Sequence, residues 1–224
     1  MNFHIITIFP ESIKGYFESS ILRRAQEKKI IKIKFYNPRN FTKAKHKTID
    51  DRPYGGGPGM VMRVEPIIKS VQLAKSKIKS QKSKIIILSA AGKQFNQKIA
   101  RHWAQKYKDI ILISGHYEGI DARLKSVLRS MGYVLQEISI GPYILTGGEL
   151  PAAIIIDAVS RHIPGVLGKK QSLEDERGMG IPVYTRPEVF EYPPSGGKKY
   201  RVPKILLSGH HKRVEEWRKK HSKN

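Results

Sequence analysis

The sequence predicts an α/β fold built on a parallel sheet. Residues 85–88 and 110–114 are solid apolar runs suited to strands covered on both faces, and strand-like and helix-like patterns alternate along the chain. Residues 3–9 and 31–36 alternate like half-buried strands, and an apolar segment near 134–138 supplies a fifth. Between them lie helical patterns over residues 13–28, 65–75, 96–107 and 121–129, with no repeat period. Pattern alone selects an unknotted doubly wound sheet, because connections rarely thread.

The next element begins at Thr146-Gly-Gly-Glu149, which has the spacing of a capping box, and Pro151 falls in the first turn of a helix predicted over 150–162. Pro164 ends it, since the residue before a proline avoids the helical region. Residues 165–180 mix glycines with charges and read as a linker. Beyond them the chain is punctuated by Pro and Gly and ends in a predicted helix over 210–220, with ten Lys/Arg and two Glu in residues 198–224. The expected organisation is a domain of residues 1–163, a linker of residues 164–180, and a small basic helical domain of residues 181–224.

The 224 residues include 42 Lys+Arg, 19 Asp+Glu, eight His and no Cys, for a net charge of +23. Without cysteine there is no disulfide framework, Cys-ligated zinc, iron–sulfur cluster or thiol nucleophile, and a cytoplasmic setting is expected. No apolar run approaches the roughly 20 residues that span a bilayer, and the N-terminus lacks the pattern of a signal peptide, so no membrane partner is expected. At 39% hydrophobic the chain supports a real core. The basic excess has two readings. Lys and Arg that neutralise phosphates release counterions and point to nucleic acid, whereas Lys scattered over helix faces is merely solvated. Histidines lack metal-binding spacing, so no metal site is expected.

Two kinds of loop carry possible chemistry. Tyr54-Gly-Gly-Gly-Pro-Gly-Met60 is not a P-loop, because no Gly-Lys-Ser/Thr follows. Flanked by Lys43, Lys45, His46, Lys47, Asp50, Asp51 and Arg52, it reads either as a grip on a nucleotide and its phosphates or as a mobile surface loop. The segments Ser89-Ala-Ala-Gly92, Ser114-Gly-His-Tyr-Glu-Gly-Ile-Asp121 and Ser139 to Gly148 each follow a predicted strand. Ligands of parallel sheets bind beyond the carboxyl ends of strands, so these three turns either converge on one pocket or are merely tight turns. Arg161 lies one helical turn beyond Asp157, which suggests a surface ion pair, and Glu174, Asp175 and Glu176 form an acidic patch in the linker.

Six segments together resemble the TrmD family of bacterial tRNA (guanine-N1)-methyltransferases. They are Thr7-Ile-Phe-Pro-Glu11, the stretch from Lys45 to Met60, Gly115-His-Tyr-Glu-Gly-Ile-Asp121, the stretch from Ser139 to Pro151, the stretch from Ser160 to Gly168, and Tyr184-Thr-Arg-Pro-Glu188. The resemblance implies a SPOUT-type parallel sheet with a C-terminal trefoil knot, a linker, a small helical domain and an obligate homodimer with shared active sites. It implies transfer of a methyl group from S-adenosyl-L-methionine to N1 of guanosine 37 in tRNA, next to the anticodon; whether a divalent ion is required stays open.

On this resemblance, S-adenosylmethionine would sit among Leu88, Ser89 and Gly92, then Gly115, Tyr117 and Glu118, then Ile140, Gly141, Pro142, Tyr143, Ile144, Leu145, Gly147 and Gly148. Gly147→Val would then fill the ligand's space and leave the fold largely intact. His46, Lys47, Asp50, Gly57, Gly59 and Met60 would face the tRNA and its guanosine. Asp175 matches the family's linker aspartate and would act as the base that removes the N1 proton, while Arg161 would stabilise charge on O6. The chain departs from the family at Ser89-Ala-Ala-Gly92, where the usual reading is Ser-Pro-Gln-Gly, and its segment of residues 169–183 is shorter. Alternative readings are a SPOUT methyltransferase acting on a ribose 2′-oxygen or another base, and a non-catalytic RNA-binding protein.

Overall fold

From the N-terminus the chain runs β1 (Asn2–Ile6), α1 (Glu11–Phe17), α2 (Ser20–Glu27), β2 (Lys32–Tyr36), a 3-10 turn (Pro38–Phe41), β3 (Asp50–Asp51), β4 (Val61–Met62) and α3 (Val64–Ser76). It continues through β5 (Ser83–Gln94), α4 (Gln97–Lys106), β6 (Asp109–Ile113), α5 (Arg123–Ser130), β7 (Leu135–Ser139) and α6 (Glu149–Ser160). The last elements are β8 (Val189–Tyr192), β9 (Lys198–Arg201), α7 (Lys204–Leu207) and α8 (His211–His221). The computed structural model describes residues 1–42, 46–168 and 180–222. Lys43, Lys45, Glu174, Asp175 and Glu176 lie outside the described residues.

Five strands form one parallel sheet in the order β2-β1-β6-β5-β7. Period-two alternation sends Phe3, Ile5, Ile86, Leu88, Ile110 and Leu112 to one face, where they meet Ile13 and Phe17 of α1, Leu22 of α2, Trp103 of α4, and Ile155, Ile156 and Val159 of α6. The opposite face carries Ile6, Ile85, Ile87, Ile111 and Ile113 against Ile67 and Val71 of α3 and Leu124 and Leu128 of α5. Every residue of β6 is buried, which is why Ile110 to Ile113 is an unbroken apolar run in the sequence.

Local differences from the sequence-based expectations have physical reasons. The helix expected over 13–28 is two helices: Ser19 is extended, Ser20 has φ +47°, and the bend brings Phe17 and Leu22 onto the same core. The turn Ser89 to Gly92 does not end its strand. It is an excursion within β5, where Ile138 of β7 pairs with both Leu88 and Lys93. The capping box at Thr146 does not form, because Gly148 is the N-cap of α6 and the Glu149 side chain is buried elsewhere.

The chain divides into two compact units, residues 1–168 and 169–224. In the second, periodicity suggested only the terminal helix, yet β8 and β9 form an antiparallel hairpin beside the short α7 and α8. The Pro193-Pro-Ser-Gly-Gly197 turn between its strands hides that pairing in the sequence.

One polar cluster lies inside the first unit. Asp109 accepts from Asn2 Nδ2 at 2.8 Å and from His4 Nε2 at 3.3 Å, so His4 Nδ1 is left to accept from the Tyr36 hydroxyl at 2.9 Å. Burial pushes the His4 imidazole below its usual range and outweighs the opposing pull of the Asp109 carboxylate. An unfolded histidine protonates near pH ~6.5 whereas the folded one resists, so the unfolded state binds more protons and stability falls as pH drops through that region. Thermal unfolding followed from pH 7.5 to 5 is expected to show a smaller loss of stability in His4→Gln than in the parent; an unchanged pH slope would contradict a neutral buried His4.

Candidate active site

At the carboxyl edge of the sheet the turns associated with β5, β6 and β7 converge on a cleft of about 450 Å³. That volume falls in the roughly 300–1,000 Å³ range of small-molecule sites. Its wall takes Leu88 and Ser89 from the first turn, Gly115, Tyr117 and Glu118 from the second, and Ile140, Tyr143, Ile144, Leu145, Gly147 and Gly148 from the third. The lining mixes aliphatic residues with Glu118, Asp121, Lys125 and Glu137.

Gly92, Gly141 and Pro142 do not line the cleft. A Cβ at Gly92 would lie 2.7 Å from the Glu137 carbonyl carbon, so this glycine lets β5 press against β7. Gly141 forms a small turn in which its N–H donates to Ser139 Oγ at 3.2 Å and its carbonyl accepts from that hydroxyl at 2.8 Å.

The second and third turns touch backbone to backbone. Gly148 N–H donates to the Gly115 carbonyl at 2.9 Å, His116 and Gly147 form an isolated antiparallel bridge, and a Cβ at Gly148 would fall 2.6 Å from Ser114 Cα. A buried carboxylate locks this seam. Glu149 accepts from the Thr7 hydroxyl through one oxygen and from His116 Nε2 at 2.6 Å through the other. Thr7 Oγ1 in turn accepts from Phe9 N–H at 3.0 Å, and the Phe9 ring meets His116 edge-on at 4.9 Å. Sequence reasoning assigned no role here to Thr7 or His116, and took Glu149 for a cap. The available signal was one acid opening the otherwise apolar helix Leu-Pro-Ala-Ala-Ile-Ile-Ile.

The glycine-rich segment borders the same wall. β3 and β4 pair Asp50 with Met62 and Asp51 with Val61, and between them Gly55, Gly56, Gly57 and Gly59 all have positive φ. Glu118 N–H donates to the Met60 carbonyl at 3.1 Å, Met62 N–H to the Gly119 carbonyl at 2.9 Å, and Asp121 N–H to the Met62 carbonyl at 3.0 Å. Gly59 also lies under the Glu118 side chain, where a Cβ would approach Cγ to 2.6 Å. Met60 and Gly59 are therefore adjacent to a cleft residue, while Tyr54 stands fully exposed. His46 and Lys47 are exposed, the latter at φ +50° with its carbonyl accepting from Arg39 at 3.3 Å, and Asp50 is half-buried in β3. Hydrogen bonds from the Arg123 guanidinium hold the Asp121 carboxyl below the usual range.

Arg161 is the C-cap of α6 and is partly exposed. The expected pair with Asp157 does not form. Asp157 instead accepts from the Tyr16 hydroxyl at 2.8 Å, and among the described residues the Arg161 guanidinium carries no ion pair, so it is open to an anionic partner. Its proposed catalytic counterpart Asp175 is outside the described residues. Among the described residues no group of three His, Cys, Asp or Glu could hold a metal ion.

The family model described as tRNA (Guanine-1)-methyltransferase TrmD matches residues 1–224. The chain is 51% identical over 220 residues to the tRNA (guanine-N(1)-)-methyltransferase of Dictyoglomus turgidum, covering 96% of this chain and 82% of that protein. It is 49% identical over 226 residues to the protein of the same description from Carboxydothermus hydrogenoformans, with 99% and 83% coverage. The corresponding Haemophilus influenzae protein is 45% identical over 222 residues, with 97% and 85% coverage.

Two substitutions test the locked seam. A Cβ at Gly147 would lie 2.6 Å from Glu149 Oε2 and against the His116 ring, which corrects the expectation that Gly147→Val is benign to the fold. Glu149→Ala strands the buried Thr7 hydroxyl and the partly buried His116 ring and is expected to lower unfolding free energy by roughly 1–3 kcal/mol. Denaturant titration of both variants is expected to show this loss, and unchanged midpoints would mean that the carboxylate is dispensable.

Proposed function

Because the chain belongs to the TrmD family of tRNA (guanine-1)-methyltransferases, we propose that it transfers the methyl group of S-adenosyl-L-methionine to N1 of guanosine 37 in tRNA, beside the anticodon. The observation that carries the donor assignment is the cleft, where three turns present peptide groups and the aliphatic side chains of Leu88, Ile140 and Leu145 within a space of suitable size. These groups fit an adenine and its ribose, and Glu118 and Glu137 in the same lining suit the positive end of the ligand. When bound, the donor supplies a methyl group already activated by a sulfonium.

The remaining chemistry falls to the protein. Guanine N1 carries a proton and is a poor nucleophile until that proton leaves. Asp175 takes it, and the planar Arg161 guanidinium stabilises the negative charge that spreads to O6. The N1–CH₃ bond then forms as the S–CH₃ bond breaks in line, so positioning by the cleft contributes much of the acceleration. His46, Lys47, Asp50, Gly57, Gly59 and Met60 belong to the surface that holds the guanosine and its flanking phosphates; the hydrogen bonds joining Met60 to the cleft wall support this. The enzyme works in the cytoplasm, where its tRNA substrate is, and no helix among the described residues is long and apolar enough to cross a membrane.

The active unit is a homodimer with sites shared between subunits, built on a SPOUT sheet whose trefoil knot is closed by the segment leading into α6, with the small second unit following a linker. Support for the dimer comes from α6, which buries Ala152, Ile155, Ile156 and Val159 yet leaves Leu150 and Ile154 exposed one turn apart. The preceding loop exposes Tyr143, Ile144 and Leu145 as well. A helix apolar on both sides needs a second cover.

Mass spectrometry of tRNA incubated with the protein and isotopically labelled donor is expected to place one label on N1 of guanosine 37; label on a ribose oxygen or elsewhere would overturn the target. Asp175→Asn is expected to slow single-turnover transfer by about 100- to 10,000-fold without loss of donor affinity. Full activity of that variant would move the base to Glu174 or Glu176. Ile154→Glu is expected to yield monomers in sedimentation and to abolish transfer, whereas a fully active monomer would exclude shared sites.

A further inference from the structure

The second unit carries a surface for which methyl transfer has no evident use. The register of the hairpin sets Phe190 opposite Tyr200 and Tyr192 opposite Lys198, and strand alternation puts these four side chains on one face. Phe190, Tyr192 and Tyr200 are 56%, 63% and 52% exposed, so that face is open. The Phe190 and Tyr192 rings are nearly parallel, 14° apart with centroids 6.3 Å from each other, and Lys198 Nζ lies 5.5 Å from the Tyr200 centroid. On the other face Val189 and Glu191 are half-buried, and Glu191 faces Lys199 at 3.6 Å. A register slip of one residue would turn the rings inward, and the observed register holds them outward.

Resting on the reading of tRNA as substrate, we propose that this hairpin face is a stacking platform for unpaired bases of the tRNA, with Lys198 contacting the phosphates beside them. Exposed aromatic side chains on a sheet are how several RNA-binding folds take splayed bases, and any base offers a π-face to such a ring. Charge favours RNA over a protein partner. Residues 180–222 hold ten Lys/Arg against four Asp/Glu, and among the described residues Lys198 is in no ion pair. Protein interfaces deplete Lys from their centre, whereas Lys198 here lies on the aromatic face.

The test compares the full-length parent with Phe190→Ala/Tyr192→Ala/Tyr200→Ala in three measurements. Direct binding of an unmodified tRNA transcript, read by fluorescence anisotropy, is expected to weaken about ten-fold or more, since loss of one stacked ring alone costs about five- to a hundred-fold. Ultraviolet cross-linking of the parent is expected to join unpaired tRNA nucleotides to the peptide containing residues 189–201. Donor affinity by calorimetry and transfer rate at saturating tRNA are expected to be unchanged, so the defect appears in KM and not in kcat. A variant restoring aromatics, Phe190→Tyr/Tyr192→Phe/Tyr200→Phe, is expected to recover binding, which also guards against a fold defect in the alanine variant. Unchanged tRNA affinity in the alanine variant, or a change only in self-association, overturns the platform. Because binding is measured without methylation, a parent that binds tRNA through the hairpin yet transfers no methyl would refute the assigned reaction and leave the platform standing.

Discussion

The geometry of the cleft depends on one buried carboxylate. Glu149 stands at the first turn of α6 and accepts from Thr7, at the end of β1, and from His116, in the turn after β6. Three segments far apart in sequence are thereby held to within a hydrogen bond of one side chain. The cost of burying an acid is met here by two donors, and removing either would leave one of its two oxygens without a partner. The glycines beside it follow from the same contact. Gly147 and Gly148 have no room for a Cβ, because the His116 ring and the Ser114 backbone occupy that space.

A division of labour between backbone and charge runs through the molecule. The cleft lining holds the acids Glu118, Asp121 and Glu137 and the single cation Lys125, although the chain as a whole carries a net charge of +23. Basic side chains are concentrated elsewhere, including the second unit, where they lie among exposed aromatic rings. A small, partly apolar ligand is best recognised by fixed dipoles in a narrow cleft. A polyanion is best attracted by mobile cations on an open surface, where counterions can be released.

The excursion in β5 shows how a strand can serve both core and site. Its first half, Ile85 to Leu88, is buried core, and the chain then swings out at Ser89 to Gly92 before pairing again at Lys93 and Gln94. The turn is therefore anchored at both ends by pairing with β7.

Most of the layered architecture was legible in the sequence, because period-two and helical patterns are local: Ile110 to Ile113 has to be a covered strand wherever its neighbours lie. The turns after β6 and β7 could likewise be placed beyond strand ends, and so at the carboxyl edge of a parallel sheet, whereas Ser89 to Gly92 lies within β5. Residue periodicity could not determine strand order, the break at Ser19 and Ser20, or the β8–β9 hairpin, since each depends on which surfaces meet. It also misread Glu149 as a helix cap and Arg161 as half of an i,i+4 pair. Spacing within one helix reports only the neighbours available along that helix, whereas Thr7, His116 and Tyr16 compete from other elements once the chain has packed. Sequence by itself determined the layers and the approximate location of the loops that line the cleft; only the tertiary structure decided which side chains those loops bring together, because a buried polar group takes its best donor from anywhere in the fold.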